Sequence, residues 1–319
     1  MKFLFRDKPV YIYGLNYKLG SIRRDLDELK ANNLVNSTVK SLSELGYRYC
    51  FGLSGTETLL TLAAAPLSSS LACAGEPRAV IFQHGAAESA VLPWESSETD
   101  IARRNRYFGP ALMQQLNIDH VPFFCSFATG CAGFLSLLAS AGGVLSSSDA
   151  AVDVICAMGD CVPPGVMFDL KKERILGSDH SSAFVVGEDN RGYQLLGLNY
   201  YSTTRTQVPL VEVVKRTLEM IRDLASSLGL VLSENDVAIH YQNMFPDTWK
   251  MVTRYLNIPR VEHVMVGMSE HAHCGGSDSV ISLGQLHRCQ AGRLHAVINY
   301  GIGLHLGVSI LRETDQAIV

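Results

Sequence analysis

The chain has 319 residues, of which 47% are hydrophobic and 18% are charged, and its formal net charge is −4. This length allows a large buried core, in one big domain or in two halves. The acidic balance and the lack of a long basic run argue against nucleic-acid binding. The apolar stretch from Leu59 to Ala74 contains Pro66 and three consecutive serines, so it is too short and too broken to span a bilayer.

The cysteines and the first residues indicate a compartment. Eight cysteines are spread along the chain without a Cys-x-x-Cys pair. Lys2, Arg6 and Asp7 lie where the apolar core of a secretory leader would have to be. Free thiols in a reducing cytoplasm are therefore expected.

Strand and helix patterns alternate along the whole chain. Strands are predicted at residues 10–14, 79–82, 151–157, 182–187, 193–201, 238–240, 264–266, 294–299 and 308–311. Helices are predicted at residues 57–65, where Pro66 ends the pattern, and at 103–116, 131–141, 211–228 and 279–286. The order of elements occurs twice, which predicts two pseudo-symmetric α/β halves, residues 1–167 and 168–319, packed as one body.

One stretch, residues 123–140, has the pattern of a nucleophile turn. An apolar run of strand type is followed by Thr129 and Gly130, which allow a tight turn, and then by apolar residues at helical spacing. Such a turn places Cys131 at the positive end of the helix dipole, where a thiolate is favoured over a thiol. Cys131 is therefore a candidate nucleophile, and a small buried filler is the alternative.

Three further segments combine polar residues with strand ends or glycines. His240 ends a predicted strand, at the edge where α/β folds build sites, and is followed by Gln242 and Asn243. Residues 271–278 place two histidines beside glycines before an apolar helix. Residues 299–307 form a glycine-spaced turn between two strands, which can aim a backbone N–H at a ligand.

In order and context, these segments resemble the β-ketoacyl-ACP synthase III group of the thiolase superfamily over essentially the whole chain. Cys131-Ala132-Gly133-Phe134 matches the family's Cys-Ala/Ser-Gly-Phe turn. His240-Tyr241-Gln242-Asn243 matches its His-Gln-Ala-Asn segment at both ends, with glutamine one place late. An ungapped alignment on Leu283 places His273 where initiating synthases have asparagine and elongating synthases have histidine. A shifted alignment places Gly275 there instead.

The resemblance implies a thiolase fold, with two pseudo-symmetric halves in a five-layered αβαβα arrangement. It implies an acyl-transferring condensing enzyme that loads an acyl group from a CoA or carrier-protein thioester onto Cys131. The acyl group then passes to an acceptor by C–C condensation, in a specialised lipid or polyketide-like pathway. No bound cofactor is implied, because the acyl thioester is itself a substrate.

The resemblance also implies roles for individual residues. The backbone N–H groups of Cys131 and Ile302 would hold the oxyanion. His240 and His273 would donate hydrogen bonds to the second thioester or take a proton from the acceptor. Asn243, Gly301 and Gly303 would line the substrate site.

The resemblance leaves alternatives open for the acyl donor and for the oligomeric state. The family's CoA-holding tryptophan and arginine have no match between Arg23 and Tyr49, and Phe245 replaces a further arginine, so a carrier-protein donor is at least as well supported. Lys250 and Arg254 could meet an acidic carrier protein, although a solvated helix face is the alternative. The resemblance implies a homodimer that pairs through residues 122–127, and a heterodimer stays open.

Other interpretations remain at this point. The same fold could support an O- or N-acyltransferase, or a non-catalytic partner subunit of a heterodimer. His271, His273 and Cys274, with His263, match no common zinc spacing, so no metal site is predicted. Asp278 is expected to cap the following helix and to have no catalytic role.

Overall fold

The computed structural model describes residues 1–6, 8–84, 108–127, 129–148, 150–163, 165–205, 208–301 and 305–318. The strands are β1 (Lys2–Leu4), β2 (Val10–Leu19), β3 (Ile22–Asp25), β4 (Tyr49–Gly52), β5 (Pro77–His84), β6 (Phe123–Phe127), β7 (Asp153–Asp160), β8 (Asp169–Leu170), β9 (Ile175–Leu176), β10 (His180–Gly187), β11 (Tyr193–Ser202), β12 (Val237–His240), β13 (Val261–Val264), β14 (Leu294–Gly301) and β15 (His305–Glu313). The helices are α1 (Leu26–Ala31), α2 (Val39–Ser43), α3 (Leu59–Cys73), α4 (Phe108–Gln115), α5 (Gly133–Ser146), α6 (Leu210–Ser227), α7 (Pro246–Leu256), α8 (Met268–His271) and α9 (Ser277–Leu286). In these ranges, every helix is too short or too polar to cross a membrane.

The large mixed sheet contains one strand arrangement twice. Its order is β13-β12-β14-β15-β11-β2-β10-β7-β5-β6, and β1 pairs with β11 outside this path. The first set is β2, β5, β6, β7 and β10, and the second set is β11, β12, β13, β14 and β15. In each set, the second strand along the chain (β5 or β12) lies between the third and the fourth. The first strand of each set (β2 or β11) lies at the centre of the large sheet, beside the other set. β5 and β12 pair in parallel with both neighbours, whereas β10 and β15 pair antiparallel with both of theirs. This duplication confirms the two pseudo-symmetric halves.

The two sets meet through a short ladder between β2 and β11, which pairs only Tyr193–Leu195 with Val10–Ile12. By strand order, β10 belongs to the first set, because it lies between β7 and β2. The second set therefore begins at β11, beyond the boundary at residues 167 and 168 that the sequence predicts. Strand pairing over a long sequence separation sets this boundary, and no local composition change marks it.

Helices cover both sets of strands and fill the space between them. The outer face of the first set packs against α3 and α4, through residues such as Leu62, Leu67 and Leu112. The middle layer is formed by α5 and α9, with Phe134, Leu138 and Leu283 in one core. The outer face of the second set packs against α6 and α7, through residues such as Ile221, Leu224 and Trp249. These contacts give the five-layered αβαβα arrangement that the resemblance implies.

Two of the differences from the sequence prediction have a clear physical reason. α3 runs through Pro66 instead of ending there. An internal proline removes one helical hydrogen bond and costs about 3 kcal/mol. This cost is offset because a capping box of Thr58 and Thr61 starts the helix, and because Leu62 and Leu67 are fully buried on the sheet. The sequence predicts a strand over residues 264–266, whereas β13 covers Val261–Val264. Its parallel pairing with β12 ends at Val264.

Candidate active site

The nucleophile turn follows the predicted pattern. β6 leads into a 3₁₀ turn over Gly130–Ala132, and α5 begins at Gly133. Gly130 has a φ of +51°, which favours glycine. A Cβ atom on Gly301 would lie 2.6 Å from the Thr129 carbonyl, so the end of β14 approaches the turn as closely as glycine allows. Cys131 is partly exposed at the start of the inner helix.

His273 lies between Cys131 and Asp278. Its Nε2 atom is 3.1 Å from the Sγ atom of Cys131, and its Nδ1 atom is 2.6 Å from Oδ2 of Asp278. The neighbouring Ala272 has a φ of +56°, a conformation that is costly for any residue with a side chain and that clusters at functional sites. His273, which the ungapped alignment on Leu283 selects, thus lies beside the candidate nucleophile.

Asp278 is the site residue that the sequence prediction missed. It lies in the first turn of α9, but its carboxylate accepts hydrogen bonds from the backbone N–H groups of Cys274 and Asn243 and from His273, instead of capping that helix. Burial alone would raise its pKa, but the charge of His273 and these hydrogen bonds outweigh burial and lower it. The spacing of five residues between His273 and Asp278 is the only sequence signal for this pair.

The electrostatics of His273 favour its charged form. Burial alone would lower its pKa, but negative charge on Cys131 and Asp278 and the hydrogen bonds to both raise it to about 10. An imidazolium on His273, between the Sγ atom of Cys131 and the carboxylate of Asp278, is thus the form that these contacts stabilise. A cysteine beside a histidine with a third orienting group can act as an activated nucleophile.

The structure does not bring His240 to the nucleophile. Its Nδ1 atom lies 2.9 Å from the Ser282 hydroxyl, and its Nε2 atom lies 2.8 Å from Nδ1 of His295. Nε2 of His295 in turn lies 3.0 Å from Oε2 of Glu313. Both ring nitrogens of His240 are thus engaged in a buried chain, and burial lowers its pKa well below the usual range. His240 thus contacts Ser282 and His295 in this structure, and its expected role at the second thioester stays a prediction.

Gln242 and Asn243 reach the site in place of His240. Gln242 contacts the main chain at Cys131, Gly275 and Tyr300. Asn243, which the resemblance puts in the substrate site, is only 1% exposed. Its Nδ2 atom donates to the carbonyls of Val266 and Ala272, so it supports the loop of His273 and does not line an open cleft.

The predicted oxyanion and substrate glycines are only partly described. Ile302 and Gly303 lie outside the described residues. Gly301, the last residue of β14, is buried against the nucleophile turn, as its approach to Thr129 requires. The end of β14 therefore leads from this turn towards residues 302–304.

Comparisons with known proteins give a consistent architecture. No protein-family model matches the chain, and no curated protein sequence matches it. Among solved structures, the 3-oxoacyl-[acyl-carrier-protein] synthase III of Aquifex aeolicus VF5 superposes with a TM-score of 0.75 at 17% identity, over 96% of this chain and 99% of that chain. The chain has the thiolase fold.

Two further structures with this thiolase fold have different named activities. ChlB3, named as an acyltransferase, superposes with a TM-score of 0.76 at 14% identity, over 97% of this chain and 99% of that chain. AbyA1, named as a tetronic acid condensing enzyme, superposes with a TM-score of 0.72 at 17% identity, over 95% of this chain and 99% of that chain. At such identities the likeness establishes the fold, and the activity must be argued from the site.

An apolar pocket is lined by residues of the hydrophobic core cluster against which Cys131 packs. Its cavity volume is about 20 Å³. Its apolar wall includes Tyr201, Val208, Tyr300 and Leu306, and Cys131 packs against the cluster that these residues form. A cavity of this volume has room for little more than about one water molecule.

The two predicted carrier-docking residues lie on the protein surface. Lys250 and Arg254 are exposed on α7, and Lys250 pairs with Asp247 at 3.4 Å.

His271, Cys274 and Asp278 offer ligand atoms within 4.8 Å of one another. Burial and the charge of Asp278 raise the pKa of Cys274 well above its usual value, and Asp278 is already engaged with His273, so this donor set suits a metal ion poorly.

Proposed function

We propose that this protein is an acyltransferase that carries an acyl group as a thioester on Cys131 and passes it to a hydroxyl or amine acceptor. The observation that carries the proposal is the position of His273, in hydrogen-bond reach of both Cys131 and Asp278. A histidine held by a carboxylate on one side and facing a nucleophile on the other acts as a general base and acid.

The chemistry follows from these contacts. The Cys131 thiolate attacks the carbonyl of an acyl thioester, and the C–S bond to the donor breaks as the new thioester forms. The departing thiolate takes a proton from the His273 imidazolium. Neutral His273 then removes the proton of the acceptor hydroxyl or amine as it attacks, and Cys131 leaves as a thiolate, which restores the starting ion pair. Asp278 holds the imidazole orientation throughout.

Decarboxylative condensation is the second candidate. It is favoured by the structural relatives that are named as a 3-oxoacyl-[acyl-carrier-protein] synthase III and a tetronic acid condensing enzyme. Such a reaction develops enolate charge on a thioester oxygen and profits from two neutral donors aimed at it. With His240 bound to Ser282 and His295, only His273 of the two predicted histidine donors is available for this role. A carboxylate behind His273 also suits a base better than a neutral donor, so acyl transfer to oxygen or nitrogen ranks first.

We propose an acyl-carrier protein as the donor, with acyl-CoA as the alternative, in a specialised pathway. The sequence has no match for the family's CoA-holding residues, and Lys250 and Arg254 expose positive charge on α7. Acidic carriers are attracted by such charge. A soluble cytoplasmic location is consistent with free thiols at all eight cysteines.

We also propose a homodimer. β6 is the last strand in the described sheet order, and Phe124 on it is 52% exposed. A heterodimer with a related chain would use the same edge. The role of a silent subunit is less favoured, because such a subunit has no need of the contacts among Cys131, His273 and Asp278.

The decisive experiment compares acceptors. Wild-type protein is incubated with acyl-carrier and acyl-CoA donors, and acyl-Cys131 is followed by intact mass. Loaded protein then receives either alcohols and amines or a malonyl-type extender. We expect ester or amide formation without CO₂ release. CO₂ release with a β-keto product would establish condensation instead, and no loading with any donor would contradict both reactions.

A further inference from the structure

Gln242 uses its side-chain amide to join three separate segments. It is fully buried just beyond the end of β12. Its Nε2 atom donates to the Cys131 carbonyl at 2.5 Å and to the Gly275 carbonyl at 3.1 Å. Its Oε1 atom accepts from the Tyr300 N–H at 2.6 Å. The pattern of two carbonyls and one N–H fixes which end of the amide faces which segment.

Each of these segments carries one part of the proposed reaction. Cys131 is the nucleophile, Gly275 lies two residues after His273, and Tyr300 lies two residues before Ile302, the expected oxyanion donor. The three contacts span 111, 33 and 58 residues along the chain. Gln242 is thus a direct connection between the nucleophile turn, the loop of the base and the end of β14.

The contact with the Cys131 carbonyl also restrains the nucleophile itself. The peptide between Cys131 and Ala132 is held at one end by Gln242 and at the other by the hydrogen bond from the Ala132 N–H to the Thr129 carbonyl, at 3.1 Å. A peptide plane held at both ends fixes the backbone of Cys131, and with it the direction of Sγ towards His273. Displacements of about 1 Å in such a group can cost about 10²-fold in rate.

We propose that Gln242 is a positioning residue, which holds Cys131, the His273 loop and the end of β14 at their reactive separations. This inference rests on the proposed acyl transfer. Glutamate has the same shape but cannot replace Gln242, because a carboxylate offers no donor to two carbonyl oxygens. Methionine has a similar length but makes none of the three hydrogen bonds.

The test uses Gln242→Glu and Gln242→Met, with Gln285→Glu as the matched control, because Gln285 is exposed on α9. Two rates are measured per folded molecule: loading of Cys131 from a thioester that loads the wild type, and alkylation of Cys131 by iodoacetamide across pH. We expect loading to fall about 10- to 100-fold in both Gln242 variants. We also expect the alkylation pH profile to move, because the contact between Cys131 and His273 is disturbed, and we expect neither change in the control.

A merely structural role gives a different result. It would lower the melting temperature while leaving loading and the alkylation profile of the folded molecules unchanged, and that outcome overturns the proposal. Alkylation needs no thioester, so it still tests Gln242 if the wild type loads no donor and the proposed function fails.

If neither variant folds, the wild type itself provides the test. The side-chain amide signals of Gln242 and Gln285 are then compared by NMR before and after alkylation of Cys131. The proposal requires a shift at Gln242 and none at Gln285. Unmoved Gln242 signals overturn it.

Discussion

The Nε2 atom of His273 lies 3.1 Å from the Sγ atom of Cys131, although 142 residues separate the two along the chain. Cys131 lies between β6 and the inner helix α5, and His273 lies between β13 and the inner helix α9. The two residues therefore occupy corresponding places in the duplicated strand order. The packing of one half on the other turns these places into a single site.

Cys131 should be the cysteine that gains acyl mass. Cys131→Ala is expected to abolish the mass shift with an otherwise effective donor, because it removes the nucleophile beside His273. Cys125→Ala is the matched control, since Cys125 lies on β6, where burial raises the pKa of its thiol. Loading of Cys131→Ala together with its loss in Cys125→Ala would mean that the wrong cysteine has been chosen.

Asp278→Asn should slow turnover by about 10² to 10⁴-fold while the fold is retained. The variant lacks the charge that helps to raise the pKa of His273 to about 10. That pKa should fall, so the alkaline limb of the activity profile should move to lower pH. Steady-state rates across pH measure both effects, with Asp247→Asn on the exposed face of α7 as control. A wild-type rate and profile in Asp278→Asn would refute its role as orienting acid.

His240→Ala should affect stability more than chemistry. It removes a buried ring and leaves the Ser282 hydroxyl and Nδ1 of His295 without their present partner. We expect a loss of about 2–4 kcal/mol in the free energy of unfolding, measured by urea denaturation. Loading of Cys131 by the folded fraction should stay near the wild-type rate. A large loss of loading at unchanged stability would instead support the thioester contact that the family resemblance implies.

Glu313 should make the fold sensitive to acid. Burial alone would raise its pKa, but hydrogen bonds from His295 and from the backbone at Arg288 and Gln290 lower it from 4.5 to about 2. A pKa that is lower in the folded chain gives stability that is present above about pH 4.5 and is lost as the pH falls through about 2.

The corresponding variant is Glu313→Gln. It should be less stable than the wild type by about 3 kcal/mol at pH 7, and the difference should shrink as the pH falls below 4.5. Urea denaturation at several pH values measures the difference, with the exposed Glu219→Gln as control. A difference that is constant from pH 7 to pH 2 would show that the Glu313 charge contributes nothing.

Phe124 should report on the dimer. Phe124→Glu places a charge on the exposed edge strand β6 and should convert a dimer into a monomer, because a buried charge without a partner is costly. Light scattering at micromolar concentration measures the mass. Val211→Glu, at a residue 71% exposed on α6, is the control for added charge. A wild type that is monomeric in the same measurement would rule out the proposed homodimer.

Local patterns predicted the turn at Cys131 well. Gly130 is compatible with the positive φ that the turn requires, and the apolar residues after Cys131 form a buried helix. The prediction for the helix after Glu57 was less accurate, because burial of Leu62 and Leu67 outweighs the cost of Pro66. Local signals thus located the elements, whereas packing decided where this helix ends.

The sequence by itself determined the alternation of strands and helices, the nucleophile turn and, through a family resemblance, the candidate status of His273. Only the tertiary structure decided that Asp278 orients His273, that His240 turns to Ser282 and His295, and that Gln242 reaches Cys131. Side-chain direction follows a fixed alternation only inside a strand, and β12 ends at His240. Beyond that residue, contacts with segments far away in the chain set the direction of each side chain, and no local pattern encodes them.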